Sequence, residues 1–418
     1  MLSWDFSKGV FMHFAVNDLV GLLVAAIIVA LVARRLKLPY TVGLVVAGVG
    51  LALLNVDEGI GLTHDFIYEM ILPPLLFEAA INIHWRELRR DALPVLALAI
   101  FGTLVSAAVV AGGAIAVLGW PASSAFLFGA LIAATDPVAV IAMFKDNGVG
   151  GRLRLLVECE SLFNDGVAAV LFGLVLAWFN VEDGQAISVA DGLRALALTV
   201  GGGTAIGLAV GAIVLAVAGR THDRLVESAL TAVSAYGSFM LAERFHASGV
   251  LATVFAGLVI GNMGLLAEDG SNRLSDAGRD FALSFWDFVA FIANSIVFLL
   301  IGLTVATIPF RQLGAPTLLV IIALTLIARA LTVYPICSLF QRSKSAIPMK
   351  MQHVLWWGGL RGALGLALAL ALPPSIALRS EIQIATFAVV GFSVVMQGLS
   401  MPLLLRRLGF ARPRKGQI

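Results

Sequence analysis

Apolar residues run along this chain in stretches of about twenty, closed by charged clusters or by Pro- and Gly-marked turns. Wound as a helix, such a stretch matches the hydrocarbon thickness of a bilayer. The pattern predicts spans near 17–33, 39–55, 66–83, 92–118, 122–144, 153–179 and 189–218, then 225–243, 248–264, 281–307, 313–340, 350–372 and 382–405. The expected fold class is an all-α polytopic membrane protein with about thirteen transmembrane helices.

The basic residues test this segmentation independently, because an omitted or invented span would scramble their distribution. With the amino terminus outside, 21 of the 28 Lys and Arg fall on the inner side. They are Arg34, Arg35, Lys37, Arg86, Arg89, Arg90, Lys145, Arg152, Arg154, Arg220, Arg224, Arg273, Arg279, Arg342, Lys344, Lys350, Arg406, Arg407, Arg412, Arg414 and Lys415. Outer segments hold Lys8, Arg194, Arg244, Arg311 and Arg379. The positive-inside rule therefore places the amino end outside and the carboxyl end in the cytoplasm of a cell-membrane protein. The basic tail "RRLGFARPRKGQI" reads as a topology anchor, with no soluble regulatory domain.

Thirteen spans permit two six-helix repeats around a linker, and seven spans between repeat starts invert the second copy, a common transporter architecture. The fifth span of each half is interrupted. In "ATDPVAV", Asp136 suits an N-cap and Pro137 the first position of a restarted helix; in "WWGGLRGALG", glycines flank Arg361. Two broken helices at matching positions point to an ion or substrate site where they cross at the bilayer midplane.

Composition narrows the function classes. Of 418 residues, 60% are hydrophobic and 13% charged, with mean hydropathy +0.97, more apolar surface than a soluble core of this size buries. Cys159 and Cys337 fall inside apolar segments and read as small fillers. His13, His64, His84, His222, His246 and His353 sit at segment ends or in loops without metal-ligand spacing, and no candidate nucleophile has a partner, so neither an enzyme nor a cofactor is expected. No cleavable leader pattern precedes the first span, which is read as retained.

The informative residues are charges inside spans: Glu78, Asp136, Glu160 and Asp165, against Arg329 and Arg361. Fully ionised, these six sum to minus two, so a proton or cation is needed to complete the balance. On the sixth span, Glu160, Ser161, Asn164 and Asp165 share a helix face about 140° wide. Their oxygens suit a hard cation. Glu158, nearer Arg152 and Arg154, reads as an interfacial charge. Glu160 is open between neutralising a buried arginine and coordinating an ion, and Asp136 between capping and a site role. Glu78 is open between a site role and reaching toward the inner surface. Asp165 is the residue best suited to function, because the arginines have other partners available and Asn164 supplies no countercharge.

"LLFEAAIN", "AATDPVAV", "ESLFNDGVA" and "WGGLRGALGLALAL", in this order and spacing, resemble the monovalent cation:proton antiporters of the type-1 class, which include the sodium/proton exchangers. The resemblance implies a homodimer whose core domain (about 92–179 and 313–405) moves as an elevator against a dimerisation domain (about 17–83 and 225–307), with a linker helix at about 189–218. It also implies an ion site in which Asp165 of the Asn164–Asp165 pair binds cation or proton. Thr135, Asp136, Ser161 and in some members Glu78 contribute to that site. Glu160 and Arg329 match the family's buried ion pair, and Arg361 its second broken-helix arginine. The short tail departs from the long-tailed members, so their regulation does not carry over.

Burial disfavours a charged carboxylate and a bound cation favours it, so the expected chemistry is competition of Na+ (or K+ or Li+) with H+ for Asp165. The expected partners are these ions, the bilayer and a second copy of the chain, with no nucleic acid. Because Asn164 carries no proton, one-to-one electroneutral exchange follows, serving sodium and pH homeostasis. The rival readings are a cation channel or uniporter, and a proton-coupled organic-anion carrier using Arg361 or Arg329 as a substrate ligand.

Overall fold

The computed structural model describes residues 16–36, 39–54, 62–179, 189–266 and 274–410. His13 and the topology residues Lys8, Lys37, Arg273, Arg412, Arg414 and Lys415 lie outside them. The described residues are mainly helical, joined by turns and unwound breaks, and the described part of each segment predicted from apolar length falls mainly on helix. Eight of the helical stretches are long and apolar enough to cross a membrane by length and composition.

The chain begins with α1 (Val16–Leu36), α2 (Tyr40–Leu53) and a π-helical turn (Phe66–Ile71) leading into α3 (Leu72–Ile81). Next come α4 (Trp85–Ala97), a second π turn (Leu98–Gly102) and α5 (Thr103–Leu118). The predicted span began at 92, but the helix begins at Trp85. Its first turns are amphipathic rather than apolar, so hydropathy alone starts the segment too late.

The first broken span is α6 (Ala122–Ala133) and α7 (Val138–Asn147), followed by α8 (Arg152–Phe179) and α9 (Val189–Ala218). Gly148, at φ +66°, terminates α7 in the left-handed conformation that glycine adopts without strain. Then come α10 (Arg224–Arg244), α11 (Gly249–Ile260) with a π turn (Gly261–Leu265), and α12 (Asp276–Thr307). Each of these three starts on a side-chain cap: Asp223 accepts from Leu225 N–H, Ser248 from Leu251 N–H and Ser275 from Gly278 N–H. The remainder is α13 (Ala315–Leu339), the second broken span α14 (Met349–Trp357) and α15 (Ala363–Leu370), then α16 (Arg379–Phe392), a π turn (Ser393–Gln397) and α17 (Gly398–Arg407).

The closest packing falls into two groups of helices, which also meet each other, α8 against α11 and α12 against α16. In one, α6 packs on α5, α8 and α15, and α13 packs on α5 and α16. In the other, α2 packs on α12, and α11 on α3, α9 and α10. The α2–α12 contact brings backbone against backbone: a Cβ on Gly48 would lie 2.1 Å from the Leu299 carbonyl oxygen, and one on Gly302 2.1 Å from that of Val45. Small residues permit such approach between helices that lipid gives no reason to associate. Glu227 of α10, fully buried, ties α12 to the same group by accepting from the Ser275 N–H and hydroxyl at 3.2 and 3.0 Å.

Candidate functional site

The two helix breaks meet. Residues 134–137 between α6 and α7 lie against residues 358–362 between α14 and α15, and the backbone of one supplies what the other lacks. Asp136 N–H donates to the Leu360 carbonyl at 2.7 Å, while the Arg361 guanidinium donates to the carbonyls of Ala133 (2.7 Å) and Ala134 (3.0 Å). A cation thus sits at the carboxyl end of half-helix α6, where the dipole and the orphan carbonyls favour it. Arg361 N–H in turn donates to Ser393 Oγ at 3.1 Å, in the π turn between α16 and α17. Arg361 Nε and Nη2 have no hydrogen-bond partner.

Asp136 accepts the Val138 N–H at 2.9 Å from one residue ahead of Pro137, which takes the N-cap position of α7 expected for Asp136. The crossing is so close that a Cβ on Gly362 would lie 2.0 Å from Asp136 Oδ2. Gly362→Ala is therefore expected to displace the Asp136 carboxylate and cut transport at least about tenfold, against unchanged protein yield. Cation-stimulated proton flux per milligram of reconstituted variant measures this, and near-normal flux would show that the Asp136 position is dispensable.

Helix α8 supplies the opposing wall. Asn164 Oδ1 accepts the Thr135 N–H at 3.0 Å and its Nδ2 donates to Thr135 Oγ1 at 3.0 Å. Thr135 Oγ1 donates to Ser161 Oγ at 3.0 Å, and Ser161 Oγ donates to the Thr135 carbonyl at 2.5 Å. Thr135, Ser161 and Asn164 are all buried, so this web fixes the unwound segment without reliance on water. Glu160, one turn earlier on α8, is 2% exposed and paired with Arg329 of α13 through two bonds of 2.8 Å, Nη1 to Oε1 and Nη2 to Oε2. Arg329 also donates to the Leu355 carbonyl from Nε and Nη2.

A cavity of about 270 Å³ opens beside these breaks, with Glu78, Thr135, Asp136 and Asp165 in its wall. Asp165 is 8% exposed and its Oδ1 is buried without a hydrogen-bond partner. Glu78 Oε1 accepts from Asn82 Nδ2 at 2.9 Å. The cavity runs toward Lys145 in the last turn of α7 and Arg154 in the first turn of α8. Ser161 and Asn164 stand one layer behind Thr135 and do not line the cavity. Neither do Glu160, Arg329 or Arg361: Arg329 is held by Glu160 and the Leu355 carbonyl, and Arg361 through its Nη1 by the carbonyls of Ala133 and Ala134.

Several residues come to the site that apolar patterning passed over. Asp287 and Asn294 of α12 line the cavity together with Tyr40 and Phe291, whose rings stack at 5.5 Å. Asp287 escapes a count of intramembrane charges because it lies near the polar end of its span. The signal available was spacing, since Asp280, Asp287 and Asn294 recur every seven residues and so form one helix stripe. Glu158 also lines the cavity, paired with Arg154 at 3.3 Å. Arg152, counted with the topology charges, clamps the 3%-exposed Asp91 at 2.7 Å and donates to the carbonyls of Ser345 and Ala346.

Comparison with known proteins gives concordant matches. Residues 22–407 match the family described as "Sodium/hydrogen exchanger, transmembrane". The chain is 40% identical over 380 residues to the Na(+)/H(+) antiporter ApNhaP of Aphanothece halophytica, covering 90% of this chain and 71% of that protein. It is 33% identical over 406 residues to the Na(+)/H(+) antiporter NhaH of Halobacillus aidingensis, covering 93% and 97%. Its fold matches that of the sodium proton antiporter MjNhaP1 from Methanocaldococcus jannaschii with a TM-score of 0.74 at 24% identity, over 94% of this chain and 98% of that one.

Proposed function

This chain belongs to the sodium/hydrogen exchanger family, and from that premise we propose that it exchanges Na+ for H+ across the cell membrane at a site centred on Asp165. The observation that carries the assignment of the site is the state of that side chain: a buried carboxylate whose Oδ1 has no hydrogen-bond donor, in the wall of a cavity beside two crossed helix breaks. A carboxylate so placed needs a positive partner. A proton and a monovalent cation each satisfy it, and each makes the other superfluous. Thr135 and Asp136 complete the cation's oxygen surroundings from the same cavity wall, joined by Glu78 of α3 while the site faces this cavity, and Ser161 and Asn164 hold Thr135 in place.

Alternation follows from the two packing groups. The group containing α5, α6, α8, α13, α15 and α16 is the moving core, about 92–179 and 313–405. The group built on α2, α3, α10, α11 and α12 is the stationary dimerisation domain of a homodimer, about 17–83 and 225–307, with α9 as linker. All thirteen helical segments cross the bilayer, with the amino end outside, and the described conformation faces the cytoplasm. Asp165 is the one carboxylate among the described residues that lines the cavity at the crossing and has a buried oxygen without a partner. One proton therefore leaves for each cation that enters the site, and exchange is electroneutral.

Reconstituted protein with a pH dye inside the vesicles tests this. A Na+ gradient is expected to drive proton movement at a rate unaffected when valinomycin and symmetric K+ clamp the membrane potential. A rate that follows imposed voltage would exclude one-to-one exchange, and voltage-driven Na+ flux with no proton movement would identify a channel.

A further inference from the structure

We propose that Asp287 is a one-sided recruiting residue, raising the affinity of the exchange site for Na+ when that site faces the cytoplasm and playing no part at the outer face. This rests on the alternating-access reading above. The cavity wall carries five carboxylates, Glu78, Asp136, Glu158, Asp165 and Asp287, against two cationic side chains, Lys145 and Arg154. Arg154 is held by Glu158 on the same helix, which leaves the remaining wall strongly negative. Asp287 is exposed to this space and forms no hydrogen bond or ion pair with any described residue. A carboxylate without a hydrogen-bond or ion-pair partner positions no neighbouring polar group, so its effect is its field.

Its position makes that field one-sided. Asp287 belongs to α12, which the Gly48–Gly302 approach fixes to α2 and the Glu227–Ser275 bonds fix to α10. Asp165 belongs to α8 in the other packing group. Movement of one group past the other separates the two carboxylates, and the field of Asp287 then no longer reaches the site. The stripe continues along α12, with exposed Asp280 seven residues before and cavity-lining Asn294 seven after. Each interval is about 10.5 Å of helix, so the three polar groups mark a graded approach along the stationary wall.

Everted vesicles present the cytoplasmic face to the medium. There Asp287→Asn is expected to raise the half-saturating Na+ concentration about threefold to tenfold at low ionic strength. The maximal rate should stay within about twofold, as for a residue acting before the transport step. Added choline chloride should shrink the difference by screening. In right-side-out vesicles the variant should match the wild type, and Asp287→Glu should match it at both faces. Equal loss of affinity at both faces, or an unchanged cytoplasmic affinity with the variant present in normal amount, overturns the proposal. A wild-type protein that moves no protons in response to Na+ at either face overturns the exchange reading instead.

Discussion

Asp165→Asn is expected to abolish Na+-dependent proton movement to the background of empty vesicles while the protein remains folded in the membrane. The amide keeps the side chain's shape and removes the one property that exchange requires, a charge that a proton or a cation can neutralise. Because the wild-type Oδ1 is buried without a partner, the substitution removes an uncompensated charge and breaks no hydrogen bond. The thermal midpoint of the detergent-solubilised variant should therefore equal or exceed that of the wild type, so that inactivity cannot be ascribed to misfolding. Competition adds a second signature in the wild type. Acidifying the side on which Na+ binds should raise its half-saturating concentration, approaching about tenfold per pH unit where the proton-bound form predominates, and excess Na+ should restore the maximal rate. Exchange that survives in Asp165→Asn would move the site to Asp136 or Glu78, the other carboxylates at the crossing.

The residues that carry this argument differ in how much of themselves they show in sequence. Helices, breaks and the polar face of α8 were legible because bilayer thickness and a 3.6-residue period act on neighbours in the chain. The pairing of Glu160 with Arg329 was legible through family resemblance, since nothing local joins residues 169 positions apart. The division of labour on α8 was not legible. Glu160, Ser161, Asn164 and Asp165 share one face, yet only Asp165 opens on the cavity, because Arg329 and Thr135 occupy the other three. The partners of charges near helix ends were not legible either. Arg152 reads as an inner-loop cation, but its partner Asp91 belongs to the amphipathic start of α4 and becomes buried only when α4 packs on α8. Asp287 acquires its meaning in the same way, from a cavity that it shares with Asp136 and Asp165, more than a hundred residues away in the chain.

The pair Glu160–Arg329 should behave oppositely to Asp165. Arg329→Ala leaves the Glu160 carboxylate buried with only the weak 3.4 Å contact from Asn164 Nδ2, a situation that costs about 3–5 kcal/mol when one partner of a buried pair is lost. Glu160→Gln strands the guanidinium instead and presents it with an amide donor. Both single variants are expected to lose most of their folded protein and to unfold at clearly lower temperature in detergent. Removing both charges, as in Glu160→Leu combined with Arg329→Met, leaves chiefly the Leu355 carbonyl without its donors, worth about 1–3 kcal/mol. The double variant should accordingly be more stable than either single one, an ordering that thermal unfolding of all four proteins measures directly. Transport then separates the two roles open to Glu160. Both its oxygens are taken by Arg329 and neither faces the cavity, so whatever Glu160→Gln protein survives should keep the wild-type half-saturating Na+ concentration. A weakened affinity in stable protein would instead make Glu160 a cation ligand, and the site would then extend one helical turn beyond Asp165.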